Sequence, residues 1–114
     1  MDESKFGQAL YTHVVEESEA TYRRLYGTTS PSDATDPYFR RALGFYLSLT
    51  SEQREIFFAI LRQTTVDAVA QVLAVLDGAS CMNGCPGEFA VIYDGRQFES
   101  PLHEEFLAVD EGRR

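Results

Sequence analysis

Apolar residues recur at helical spacing through the first quarter of the chain. Phe6, Leu10, Val14 and Leu25, with Ala9 and Tyr22, lie near one stripe of a helix over residues 4–26. Glu19 and Arg23 add a favourable i,i+4 pair, and Gly27 is a stop signal. The next stretch, GTTSPSDATDP, is rich in Ser, Thr, Pro and Asp and reads as a loop. Asp36 before Pro37 then marks a helix start, a carboxylate cap followed by a proline where no N–H is needed. This second helix runs to about Leu47. It carries Phe39, Leu43 and Tyr46 on one side and Tyr38, Ala42 and Phe45 on the other, a surface wide enough to imply burial on more than one side.

Thr50 and Gln53 fit a capping box, with Ser51 as an alternative cap, and open a long third helix over residues 51–77. Gly78 ends it. At 100° per residue, Phe57, Phe58, Leu61, Ala68, Val69, Val72, Val75 and Leu76 share a broad apolar face. Glu52, Glu55, Arg62, Gln63, Asp67 and Gln71 share the opposite one. Ile56, Ile60, Val66 and Leu73 intrude on the polar side and suggest a second contact surface, against a neighbouring element or another chain. Ile56, Ile60, Asp67 and Leu73 are the candidate partner interface, with Asp67 on a solvated stripe beside Gln63 and Gln71. Thr64 and Thr65, poor residues for a helix interior, predict a local bend.

Residues 79–87 read as loop and 88–99 as a β-hairpin turned by Asp94-Gly95, a type I′ signal. That turn pairs Val91 with Phe98 and Ile92 with Gln97, and puts Phe89, Val91 and Phe98 on the face that packs against helices. Ser100-Pro101 opens a last short helix lined inward by Leu102, Phe106 and Val109. The pattern predicts one α+β domain over 1–114. Three mainly antiparallel helices, with a long central third one, carry a C-terminal β-hairpin and a short final helix. The alternative is a homodimer in which the hairpin joins a larger intermolecular sheet.

Composition supports a core: 44% of residues are apolar, and eight Phe with six Tyr fill space without metals or disulfides. The net charge of −8 argues against nucleic acid or an anionic membrane surface as partner. It leaves a basic protein, or mimicry of nucleic acid, in play. The first residues, MDESKFGQ, show no charged-then-apolar signal pattern, and the longest apolar runs, IFFAIL and VLAVL, fall short of a membrane span. The expected location is the cytoplasm, where thiols stay reduced. The patterned run from Leu49 to Gly78 has the look of a small bacterial protein.

Cys81 and Cys85, in CMNGC, are the only cysteines. They supply two of the roughly four ligands a structural metal needs, and His13 and His103 would have to complete the set from distant elements. A redox role is disfavoured because the motif follows a helix C-terminus, where the dipole opposes a thiolate. Small, partly buried thiols at a corner are expected, with no metal or cofactor. His13 and Glu17 are spaced as a helix-surface pair. His103-Glu104-Glu105 starts like a zinc-protease motif but has Leu107 at the second ligand position. Residues 78–82 miss the last glycine of a nucleophile elbow.

Arg23, Arg24, Arg40 and Arg41 flank the loop at 27–37. With Tyr46 and the aromatic turn formed by Tyr38, Phe39, Phe45, Phe57 and Phe58, they are the candidate site for an anion or small ligand. Core filling competes for the aromatics. Three readings of function follow. The first is a non-catalytic protein-binding protein, regulatory or toxin-neutralising in the manner of an immunity protein. The second is an anion- or ligand-binding protein or minor enzyme using the arginines, and the third is a metal or redox site at Cys81 and Cys85.

Overall fold

The computed structural model describes all 114 residues and is α+β, mostly helical. Asp2 starts the first helix by accepting a bond from the Lys5 amide at 2.8 Å. Helix α1 (Glu3–Tyr11) passes through a π-helical turn at Thr12–Glu16 into α2 (Glu17–Thr28), making one continuous rod. Its buried positions are Glu3, Gly7, Tyr11, Val15 and Tyr26, the last four one residue on from the expected stripe of Phe6, Leu10, Val14 and Leu25. The offset is present from the start of the rod, before the π turn, because Gly7 is the point of closest approach to α5, a contact that an apolar pattern does not show. Gly27 does not stop the helix either. The Thr28 hydroxyl donates to the Arg24 carbonyl at 2.7 Å, and the chain turns extended only at Thr29.

A 3-10 turn at Pro31–Asp33 leads to α3 (Pro37–Leu47), capped as expected by Asp36, which accepts from the Tyr38 amide at 2.9 Å. Helix α4 (Ser51–Leu76) starts on the full capping box: the Thr50 amide donates to Gln53 Oε1 at 2.9 Å and the Gln53 amide to Thr50 Oγ1 at 3.1 Å. Thr64 and Thr65 donate back to the carbonyls of Ile60 and Leu61, and the helix stays unbroken. At 1.5 Å per residue it is about 39 Å long and forms the spine of the molecule. It joins the two short apolar runs of the sequence, so by length and composition it is long and apolar enough to cross a membrane. Its middle holds Arg62, Gln63 and Asp67, and Arg62 is bound to Glu19 and Tyr11 across the helix interface.

The hairpin of β1 (Ile92–Tyr93) and β2 (Arg96–Gln97) has the expected register, Ile92 opposite Gln97, with the Phe98 amide donating to the Val91 carbonyl. Positive φ at Asp94 (50°) and Gly95 (81°) is what a type I′ turn requires. Phe98 is buried and Val91 half-buried, but Phe89 stands in solvent because residues 78–90 run outside the helical body. Helix α5 (Leu102–Gly112) follows. Ser100 does not cap it. Asp77, at the end of α4, accepts from the His103 amide at 2.8 Å and from the His103 ring at 2.7 Å. The Ser100 hydroxyl instead donates to Glu3.

Glu3 therefore ties the start of α1 to the hairpin exit. Its carboxylate accepts from the Ser100 amide and hydroxyl, the Arg96 guanidinium and the Glu99 amide. The Ser100 amide, then its hydroxyl, and after them Arg96 and Glu99 hold the carboxyl down at about 2, against an ordinary 4.5. Such a group stabilises the fold above its unfolded pKa and loses that contribution as pH falls toward 2. Glu3→Gln is expected to melt below wild type at pH 7, the gap closing between pH 4.5 and pH 2. A gap equally wide at both ends of a pH series of melting curves would contradict this.

Two separate cores are strung along α4. One joins Tyr11, Val15, Val66, Leu73, Phe98, Leu102 and Phe106, where α1, α5 and the hairpin meet the C-terminal half of α4. The other joins Tyr26, Ala34, Leu43, Tyr46 and Phe58, where α2 and α3 meet its N-terminal half. In the first, Gly7 lets α1 approach α5 so closely that a Cβ there would lie 3.1 Å from the Glu105 carbonyl carbon. The molecule is elongated, 48 × 34 × 24 Å, with a radius of gyration of 17.5 Å. A compact chain of this length has about 13 Å.

Candidate functional site

The end of the molecule built on the second core presents an apolar face. Helix α3 buries Leu43 and Tyr46, so Tyr38 and Phe45, on its other side, point outward at 68% and 57% exposure. Phe45 meets half-buried Phe57 of α4, ring centroids 6.2 Å apart. Phe57 is one turn from Ile60, and Ile60 one turn from Ile56, which are 60% and 55% exposed. Phe45, Phe57, Ile60 and Ile56 are thus linked by helical spacing on α4 and one ring contact, and Tyr38 lies two turns before Phe45 on the same side of α3.

Of the four residues expected at an interface on the third helix, Ile56 and Ile60 lie on this face. Asp67 is exposed and accepts from the Gln63 side chain at 2.9 Å. Leu73 is a correction: it is buried in the first core, as is Val66, while Val72 and Ala68 of the supposed inner face are exposed. The inward face of α4 is chosen by its neighbours. The π turn and α5 pack on a narrow stripe through Arg62, Val66, Val69 and Leu73, which Phe58 continues into the second core; Arg62 can sit there because Glu19 pairs with its charge and the Tyr11 hydroxyl accepts from it.

The arginines do not converge on one point. Arg23 binds both oxygens of Glu55, at 2.8 and 3.3 Å, and lies over the Phe58 ring. The hydrogen bond from Arg23 holds the Glu55 carboxyl below its ordinary range. Arg40 donates twice to the Ala34 carbonyl, fixing the 3-10 turn against α3. Arg24 and Arg41 are exposed and make no ion pair. Tyr46 is buried, covered by the guanidinium of Arg54 at 4.6 Å. The aromatic turn is a packed cluster centred on Tyr26, whose ring lies 5.2–5.6 Å from Phe57, Tyr46 and Phe39.

Cys81 and Cys85 are free and, against the expectation of partial burial, fully at the surface. The Cys85 amide closes a turn onto the Met82 carbonyl, with Gly84 at φ 87°, so the loop stands away from the helices. It borders an open cleft of about 790 Å³. His103 is turned to Asp77 and His13 to Glu17, and no group of three or more His, Cys, Asp or Glu side chains comes together in a metal-binding arrangement.

A buried polar network lies where the π turn meets α4 and α5. The Tyr11 hydroxyl donates to Asp110 at 2.7 Å and accepts from Arg62 at 2.6 Å. Arg62 also binds Glu19, and Arg114 binds Asp110. Burial, then the bond to Asp110, raise the Tyr11 phenol above its ordinary range. No buried side-chain polar atom in the molecule lacks a partner, so this network locks the register of three helices. Sequence reasoning missed it, since Tyr11 and Asp110 are 99 residues apart. It also missed Tyr26.

Charge is divided unevenly between the segment around the second core and the rest of the chain. Residues 21–61, which build the apolar end, hold five arginines and four acids, a net +1; the rest hold five basic and fourteen acidic residues, a net −9. The apolar face thus sits on the nearly neutral end. No protein-family model matches this chain, and no curated protein or solved structure matches it at a significant level.

Proposed function

We propose that the chain is a non-catalytic protein-binding domain of regulatory or neutralising type, acting through the apolar face on α3 and the N-terminal half of α4. The observation that supports this reading is the amount of surface left open. The chain exposes 7751 Å². A folded monomer of 12.8 kDa exposes about 6,300 Å². The excess, roughly 1,500 Å², is spread over the elongated body and the outer loop at 78–90, and it includes the exposed large apolar side chains on α3 and α4, the kind of surface that marks a protein contact. The proposed setting is the cytoplasm, where the two surface thiols stay reduced. A basic partner suits the acidic end of the molecule rather than this face.

Hydroxyl-radical footprinting tests the reading. The reference is purified chain diluted until it sediments as a monomer. In native host extract, oxidation of Tyr38 and Phe45 is expected to slow several-fold, with exposed Tyr93 on the hairpin unchanged. Equal rates in extract and in the dilute monomer would overturn it.

A further inference from the structure

We infer that the partner on this face is a second copy of the chain, giving a two-fold dimer in which α3 and the start of α4 of each protomer pack against those of the other. The inference rests on the protein-binding reading and specifies its occupant. Three observations carry it.

The first is area. The chain exposes roughly 1,500 Å² more than a compact monomer of its mass, a surplus spread over an elongated body and the outer loop at 78–90; the face on α3 and α4 is the part of it built of large apolar side chains, and a stable contact needs about 800 Å² from each protomer. The second is composition. Tyr38, Phe45, Ile56 and Ile60 are large, apolar and more than half exposed, and permanent dimer interfaces resemble a core cut in half. The third is charge. A chain of net −8 repels its copy, but here the net −9 lies on the part away from the face. A pair meeting through the near-neutral parts keeps most of the acidic residues of both chains away from the contact. This part of the chain also carries both signs in unpaired form. Arg24, Arg41 and Glu52 are exposed, and none of the three has an ion-pair partner within its own chain. In a two-fold arrangement each contact is made twice, so one arginine–glutamate match across the axis satisfies both protomers.

Sedimentation velocity on the full chain, over a hundredfold range of concentration around the micromolar, tests this. Wild type is expected at twice the chain mass of 12.8 kDa. Phe45→Glu and Ile60→Glu, both at exposed positions, should each shift the species to 12.8 kDa with helical circular dichroism unchanged. Val72→Glu, exposed on another side of α4, should leave the dimer intact. Two results would overturn the inference: a monomer at every concentration, or a dimer that survives Phe45→Glu and Ile60→Glu but falls apart on Ile92→Glu, which would place the contact at the hairpin. A monomer whose Tyr38 and Phe45 are nevertheless protected in extract removes the second copy and keeps the protein-binding reading. A monomer unprotected in extract removes both.

Discussion

Phe106→Ala is expected to cost about 4 kcal/mol of stability, the largest loss from any single truncation in the chain. Phe106 has no exposed surface. Its ring lies 5.5 Å from that of Tyr11, and it shares a core with Val15, Val66, Leu73, Phe98 and Leu102. α1, α4, α5 and the hairpin all contribute to that core, so the cavity is walled by elements that each hold another in place. Collapse around it would pull Tyr11 away from Asp110 and Arg62, and the hydrogen bonds there resist the movement. Urea denaturation followed by circular dichroism measures the effect. A loss below about 1 kcal/mol would mean that the core relaxes around the missing ring.

Gly7→Leu is expected to cost about 3 kcal/mol, through crowding rather than a void. The first side-chain carbon alone would stand 3.1 Å from the Glu105 carbonyl carbon and 3.2 Å from its oxygen. Those are backbone atoms and cannot swing aside, so α5 has to move away from α1. Glycine costs about 1 kcal/mol in a helix interior relative to alanine, and here the close approach of the two helices offsets that cost. Gly7→Ala sets the gain in helix propensity against the tight contact. Its change should therefore be much smaller than that of leucine. The same denaturation experiment compares the two, and equal stability of the leucine variant and wild type would show that the helices do not pack this closely in solution.

The local signals of the chain translated directly into structure. Asp36-Pro37, Thr50 with Gln53, Gly78 and Asp94-Gly95 each start, end or turn an element where expected, because caps and turns satisfy backbone groups within a few residues. What escaped depends on partners far along the chain. The inner stripe of the first rod runs through Glu3 and Gly7, a carboxylate tied to the hairpin exit and a glycine pressed on Glu105, neither of which an apolar pattern picks out. Arg62 faces inward only because Glu19 and Tyr11 await it, and that frees Val72 while burying Leu73. Ser100 has a cap's sequence, yet Glu3 takes its hydroxyl and Asp77 takes over at α5. At the candidate face, Ile56 and Ile60 were visible as apolar residues out of phase. Phe45 and Tyr38 were not assigned outward, since both sides of α3 are apolar and only the packing around Tyr26 decides which one is covered.

The two cores that share α4 make two packing units on one shaft. Local opening of either unit costs less than global unfolding. A partner seated on α3 and the start of α4 contributes its binding free energy to the unit around Tyr26, by mass action. The unit around Phe106 gains only what the shared helix transmits. Resistance to opening then depends on concentration at one end of the molecule and is intrinsic at the other.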